Sequence, residues 1–266
     1  MTHEFLIAFG LTVLAGLATG IGGLIAVIKK NPGDRFMASS LGFSAGVMLY
    51  VSLVEILPEG ITHLSDSYGE RGGNWWGLAG FFGGIALIAV IDRLVPTAIN
   101  PHESMSGDTP ELQARRMKMM KMGTLTALAI GIHNFPEGFA TFISALDDPV
   151  LALPIVVAIA VHNIPEGIAV GVPMREATGS RWKGFGWSTL SGLAEPAGAL
   201  IGYLLLLPFL GPTAMGFAFA AVAGIMVFIS MDELLPTAVA TGRHHHAIYG
   251  LIAGMGVMAV SLVLFL

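Results

Sequence analysis

Two copies of one polar frame, His133-Asn134-Phe135-Pro136-Glu137-Gly138 and His162-Asn163-Ile164-Pro165-Glu166-Gly167, interrupt apolar stretches long enough to cross a bilayer. A carboxylate at bilayer depth costs roughly 2.5 to 3.5 kcal/mol on insertion scales, so an intramembrane Glu marks a functional site wherever something compensates its charge. A divalent cation is the simplest compensator. Each Pro also removes an amide donor and frees a carbonyl one turn earlier, near Ile132 and Val161, which a membrane tolerates only beside another partner or a lined cavity.

The remaining sequence agrees with a bilayer setting. Hydrophobic residues make up 54% of the 266 positions and charged residues 12%, outside the range of soluble domains. The expected fold class is an all-α polytopic membrane protein, one transmembrane domain over residues 1–266. At roughly 20 apolar residues per crossing, eight transmembrane helices are expected at 5–28, 36–58, 74–95, 122–145, 150–172, 184–207, 213–236 and 247–266, with a cytoplasmic loop at 96–121. The first segment is expected to be retained, because Met1-Thr2-His3-Glu4 lacks the positive charge of a secretory leader. The chain has no Cys, which removes thiolate as a ligand. No basic stripe accompanies the formal net charge of -5, which sets nucleic acid aside as a partner.

Twelve of the 13 Lys and Arg residues fall in the connections after the first, third, fifth and seventh segments, with Arg71 the exception. The positive-inside rule makes that face cytoplasmic and puts both termini outside, in a cell (inner) membrane. The opposite face carries Glu4, Asp66, Glu70, Asp147 and Asp148, a vestibule that would concentrate cations.

A second repeat is subtler. Residues 16–25 resemble residues 192–201 at an offset of 176 (Gly16 to Gly192). Gly46, Met48, Ser52, Glu55, Leu57 and Pro58 meet the same residue types at Gly224, Met226, Ser230, Glu233, Leu235 and Pro236, an offset of 178. Helices 1–3 then match helices 6–8 around helices 4–5, and an offset of five crossings makes the repeat inverted. That plan supplies two related gates for alternating access.

Residues four apart share a helix face, so His133 with Glu137, and His162 with Glu166, each present an imidazole and a carboxylate to one neighbour. Asn134 and Asn163 can add amide oxygens. Helices 4 and 5 are joined by a short connection, so the two motifs should meet face to face. Glu195, followed by Pro196, is the remaining central carboxylate. One or two divalent ions bridged by Glu137 and Glu166 would balance three acids. A set of imidazole, amide and carboxylate suits Zn2+, Fe2+, Mn2+, Co2+ or Cd2+ better than Cu(I).

Glu55 and Glu59, near the outer end of helix 2, and Asp232 and Glu233, near the inner end of helix 7, would continue the transport path as weaker sites. The bland alternatives are a loop acid at Glu59 and solvated helix-end acids at Asp232 and Glu233. The run His244-His245-His246 reads equally as a cytoplasmic metal tract and as incidental exposed residues. Met117, Met119, Met120 and Met122 read as interfacial packing. The small-residue pairs Gly42/Gly46, Gly80/Gly84 and Gly250/Gly254 permit close helix packing, within one chain or in a homodimer.

Taken with the eight segments, the paired motifs resemble the ZIP (Zrt/Irt-like) family of divalent metal transporters along the whole chain, and more closely its bacterial zinc-uptake branch. The resemblance implies one metal site from His133, Glu137, His162 and Glu166, and an adjacent second from Asn134, Asn163, Glu195 and the two shared Glu. It also implies import towards the cytoplasm with broad preference among Zn, Fe, Mn, Co and Cd. Two departures stand out: neutral Asn163 where many relatives carry an acid, and a loop after helix 3 reduced to His102, Glu103 and Met105 where many are His-rich. The rival readings are an intramembrane zinc-dependent hydrolase, which lacks the His-Glu-x-x-His arrangement, and a proton-coupled carrier of another solute. Transport rather than catalysis is the expected function.

Overall fold

The computed structural model describes residues 3–28, 33–94, 109–147, 149–206 and 211–265. Lys29, Lys30, His102, Glu103, Met105 and Asp148 lie outside them. Almost every described residue is helical, and no strand occurs among them. Helix α1 (His3–Ile28) is followed by α2 (Asp34–Val51), a π turn (Ser52–Ile56), α3 (Leu57–Leu94), α4 (Pro110–Asp147) and α5 (Pro149–Thr178). Then come α6 (Arg181–Gly192), α7 (Ala194–Ile201), a π turn (Gly202–Leu206), α8 (Pro212–Phe228), a π turn (Ile229–Leu234), α9 (Leu235–Ala240) and α10 (His244–Phe265).

Among the described residues, four stretches are long and apolar enough to cross a membrane: His3–Ile28, Asp34–Leu94, Thr213–Ala240 and His244–Leu264. The second is a hairpin. Gly69 takes φ 71 and ψ 163 inside α3, a conformation that only Gly adopts freely, and the chain reverses there. A Cβ added to Gly73 would collide with Ser65 and one added to Gly77 with Ile61, so the two arms lie against each other. The polar stretch between the second and third expected segments is therefore helical up to a one-residue turn.

Two further expectations are corrected. The loop expected over 96–121 is helical from Pro110 onward. The Thr109 hydroxyl accepts the Leu112 amide at 3.3 Å, Pro110 opens the helix and Glu111 sits in its first turn, three features that start helices irrespective of hydropathy. The helix expected over 184–207 is broken at Leu193, whose ψ of -9° separates α6 from α7. Pro196 supplies no amide to the Gly192 carbonyl, which is closely approached by Gly16.

The π turns at Ser52–Ile56 and Ile229–Leu234 share a cause. Pro58 and Pro236 cannot donate one turn back, so the ladder slips by a residue ahead of each. Ser52 Oγ donates to the Met48 carbonyl at 2.5 Å and Ser230 Oγ to the Met226 carbonyl at 2.8 Å. The first turn carries Glu55 and the second Asp232 and Glu233.

Glycine sets the helix spacing. An added Cβ would strike a neighbouring carbonyl oxygen at Gly46 (Leu251), Gly254 (Phe43), Gly84 (Ala221) and Gly224 (Phe81). These contacts form matching sets: adding 178 to the α2 numbers and subtracting 170 from the α10 numbers turns Gly46 on Leu251 into Gly224 on Phe81, and Phe43 under Gly254 into Ala221 under Gly84. Gly42 and Gly250 make such contacts too, with the Ala247 and Ser39 carbonyls, while Gly80 lies against the Ala220 side chain, so all three small-residue pairs pack within the chain. Centrally, α5 packs on α1, α4 on α5 and α7, and α6 on α1. Leu14, Trp75, Phe82, Tyr249, Val260 and Leu264 are exposed, the pattern of a lipid-facing surface in a chain of this composition.

A candidate metal centre between α4, α5 and α7

The two motifs lie on α4 and α5, and the glycine that ends each one decides how closely its helix meets a neighbour. A Cβ at Gly138 would overlap the Glu195 backbone, and one at Gly167 the Thr19 carbonyl. In return, Gly198 abuts the Phe135 carbonyl and Gly22 the Ile164 carbonyl. Motif one is thus seated on α7 and motif two on α1. The amides repeat the relation: Asn134 Nδ2 donates to the Ser191 carbonyl at 3.3 Å and Asn163 Nδ2 to the Ala15 carbonyl at 3.0 Å. Ser44 Oγ donates to the Pro165 carbonyl at 2.7 Å and Ser188 Oγ to the Gly167 carbonyl at 2.8 Å, tying motif two to α2 and α6.

The side chains converge. His133 Nε2 lies 3.2 Å from Glu137 Oε2 and 3.6 Å from Glu166 Oε1, and His162 Nε2 lies 3.0 Å from Glu137 Oε1. The imidazole centroids are 6.1 Å apart. One ligand atom each from His133, His162 and Glu166 falls within 4.8 Å of the others. Glu166 and Glu195 are 0% exposed, His133 and His162 2%, and Glu137 8%. Glu195 Oε1 accepts from Asn163 Nδ2.

These close approaches are ion-pair contacts. Despite those distances, His133 Nε2, His162 Nε2 and Glu137 Oε2 have no aligned hydrogen-bond partner, and neither does either oxygen of Glu166. Asn134 Oδ1, Asn163 Oδ1 and Glu195 Oε2 share that condition. Buried polar atoms are ordinarily paired, and each one left unpaired costs about 1 to 3 kcal/mol. Two imidazole nitrogens with carboxylate and amide oxygens around them form a donor set that fits a borderline divalent ion.

The other expected residues are placed less centrally. Glu55 is half-buried, with Oε2 buried and without a hydrogen-bond partner. Glu59 is exposed and pairs with His63 at 3.3 Å, a partner the sequence reading missed although the i, i+4 spacing was visible. Glu233 is buried and Asp232 exposed. His244, His245 and His246 are exposed and form the first turn of α10 rather than a loop. Ser44 and Ser188 were also missed, since a small hydroxyl residue in an apolar helix gives the same sequence signal as packing.

A family model described as ZIP Zinc transporter matches residues 96–262, more than half of the chain. The chain belongs to the ZIP family. It is 71% identical, over 98% of its length and 100% of the relative's, to zinc transporter ZupT of Corynebacterium glutamicum. It is 57% identical to zinc transporter ZupT of Streptococcus mutans across 100% of both chains, and 54% identical to that of Chlorobaculum parvum, again across 100% of both. ZIP proteins are transporters rather than enzymes, and this member is a multi-pass membrane protein.

Proposed function

We propose that this chain imports zinc, and with it Fe2+, Mn2+, Co2+ and Cd2+, across the cytoplasmic membrane by alternating access through a binuclear site. The observation that carries the reading is the cluster of buried nitrogen and oxygen atoms without hydrogen-bond partners on His133, Asn134, Glu137, His162, Asn163, Glu166 and Glu195. The zinc transported by relatives of up to 71% identity supplies the first cargo. In this reading His133, Glu137, His162 and Glu166 hold one ion and Asn134, Asn163 and Glu195 a second, with Glu137 and Glu166 shared. Each ion relieves the repulsion among three buried acids gathered beside two imidazoles.

The chain acts as one domain of eight crossings in which α3 contributes two arms, the first completing the second crossing and the second forming the third, and α6 with α7 make one broken crossing. The matched contacts of α2 with α10 and of α3 with α8 support helices 1–3 and 6–8 as an inverted repeat. Glu55 and Glu233, at matching positions of two π turns, become the entrance and exit acids, with Glu59 and Asp232 beside them. Ions would step between sites weak enough to be left. Arg115 lies 3.5 Å from Asp34 and 3.2 Å from Glu176, Arg116 donates to the Ala177 carbonyl and Lys121 lies 2.7 Å from Asp92. Basic residues of the connection after the third crossing thus meet partners in the connections after the first and fifth at one end of the bundle, which supports a cytoplasmic side there and termini outside.

Proteoliposomes test the proposal. Purified protein should carry radioactive zinc inward down a gradient, and Glu166→Gln should not. Equal uptake by protein-free vesicles, or full uptake by Glu166→Gln, would overturn it.

A further inference from the structure

Thr19 stands in α1 where Glu195 stands in α7. The sequences of the two helices align at an offset of 176, which sets Ala15 against Ser191, Gly16 against Gly192, Thr19 against Glu195 and Gly22 against Gly198. The glycine contacts and the first amide bond of each motif obey the same exchange. Gly167 rests on the Thr19 carbonyl as Gly138 rests on Glu195, and Gly22 meets Ile164 as Gly198 meets Phe135. Asn163 donates to the Ala15 carbonyl as Asn134 donates to the Ser191 carbonyl. Gly16 and Gly192 each approach the other's carbonyl, as residues beside a two-fold axis must.

The side-chain contacts of the two Asn residues are not exchanged. Asn163 also donates to Glu195 Oε1, whereas Thr19, fully buried at 0% exposure, has a hydroxyl with no hydrogen-bond partner. Thr12 and Thr62 bond back to the carbonyl four residues earlier, Ala8 at 3.0 Å and Pro58 at 3.0 Å, whereas Thr19, like Thr126, Thr141 and Thr237, does not. For Thr19 that carbonyl is Ala15, which already receives the Asn163 amide. The hydroxyl is left over, and so is Asn134 Oδ1, the mate of Asn163 Oδ1.

We infer that the Thr19 hydroxyl is a ligand of the second ion, the neutral half of a two-fold pair whose charged half is Glu195. The inference rests on the binuclear reading above and extends it to α1, an element that contributes none of the motif residues. A hydroxyl and an amide oxygen on one side and a carboxylate on the other give the second ion an all-oxygen set with fewer charges than a symmetric site would have. Such a set binds a divalent ion weakly enough to release it.

Zinc uptake in proteoliposomes by Thr19→Val, Thr19→Ser, Glu195→Gln and the double variant Thr19→Val/Glu195→Gln tests the assignment. Thr19→Val keeps the shape and should raise the half-saturating zinc concentration about five-fold, the worth of one ordinary polar contact. Thr19→Ser, which keeps the hydroxyl, should stay close to the unmodified protein. In the Glu195→Gln background the Val substitution should add little, because both act on one ion, whereas damage to packing would multiply. Unchanged uptake by Thr19→Val, equal loss in Thr19→Ser, or multiplied losses in the double variant would each overturn the ligand role. Glu166→Gln is run alongside: its loss of uptake leaves the binuclear reading standing when Thr19 fails, and its retention removes that reading itself.

Discussion

At the residue scale, function turns on acids that cannot be buried alone. Glu137 lies between both imidazoles, at 3.2 Å from one and 3.0 Å from the other, and Glu166 reaches the same group from α5. Glu137→Ala or Glu166→Ala is expected to abolish uptake of every metal, since each removes a shared ligand; transport retained by either would refute the bridging role. His162→Ala should impair zinc more than manganese, because imidazole favours the former, and paired uptake assays showing equal losses would reject that assignment. Asn163→Asp should strengthen divalent binding at the second ion, read by competition titration. The convergence of these side chains was legible in sequence because a charged motif occurs twice at helical spacing in apolar surroundings. Ser44, Ser188 and Thr19 were not legible as site residues, for a hydroxyl in a membrane helix bonds its own backbone as readily as a distant partner.

At the element scale, glycine fixes the distances on which the site depends. Side chains at Gly138 or Gly167 would overlap backbone atoms of α7 or α1, and overpacking of this kind costs about 1 to 3 kcal/mol. Gly167→Val should therefore lower the melting temperature in detergent and reduce zinc uptake, whereas Gly256→Ala, which meets nothing within 4 Å, should do neither. Equal melting of the two variants would contradict a packing role. Long apolar helices could be read from hydropathy, but the ends could not. The hairpin at Gly69, the early start of α4 at Pro110 and the break at Leu193 arise from single-residue backbone chemistry that a 20-residue hydrophobic window averages away. The π turns were hidden for the same reason, although the matching Leu-Pro pairs after Glu55 and Glu233 marked their positions.

At the scale of the whole molecule, the contacts of α2 with α10 match those of α8 with α3, and the proposed inverted repeat would supply related gates on opposite sides of the buried pocket. The chain has no Cys, so single substitutions report sidedness without background. Asp66→Cys should react with a membrane-impermeant maleimide in intact cells, and Arg243→Cys only after permeabilisation; the reverse pattern would invert the assigned direction of entry. The proposed cargo is tested most directly by anomalous diffraction at the zinc edge from zinc-soaked crystals. The expected result is anomalous density within bonding distance of His133, Glu137, His162 and Glu166, with a second peak beside Glu195. Peaks confined to exposed groups such as His244 to His246, with none between α4 and α5 at saturating zinc, would contradict the central claim.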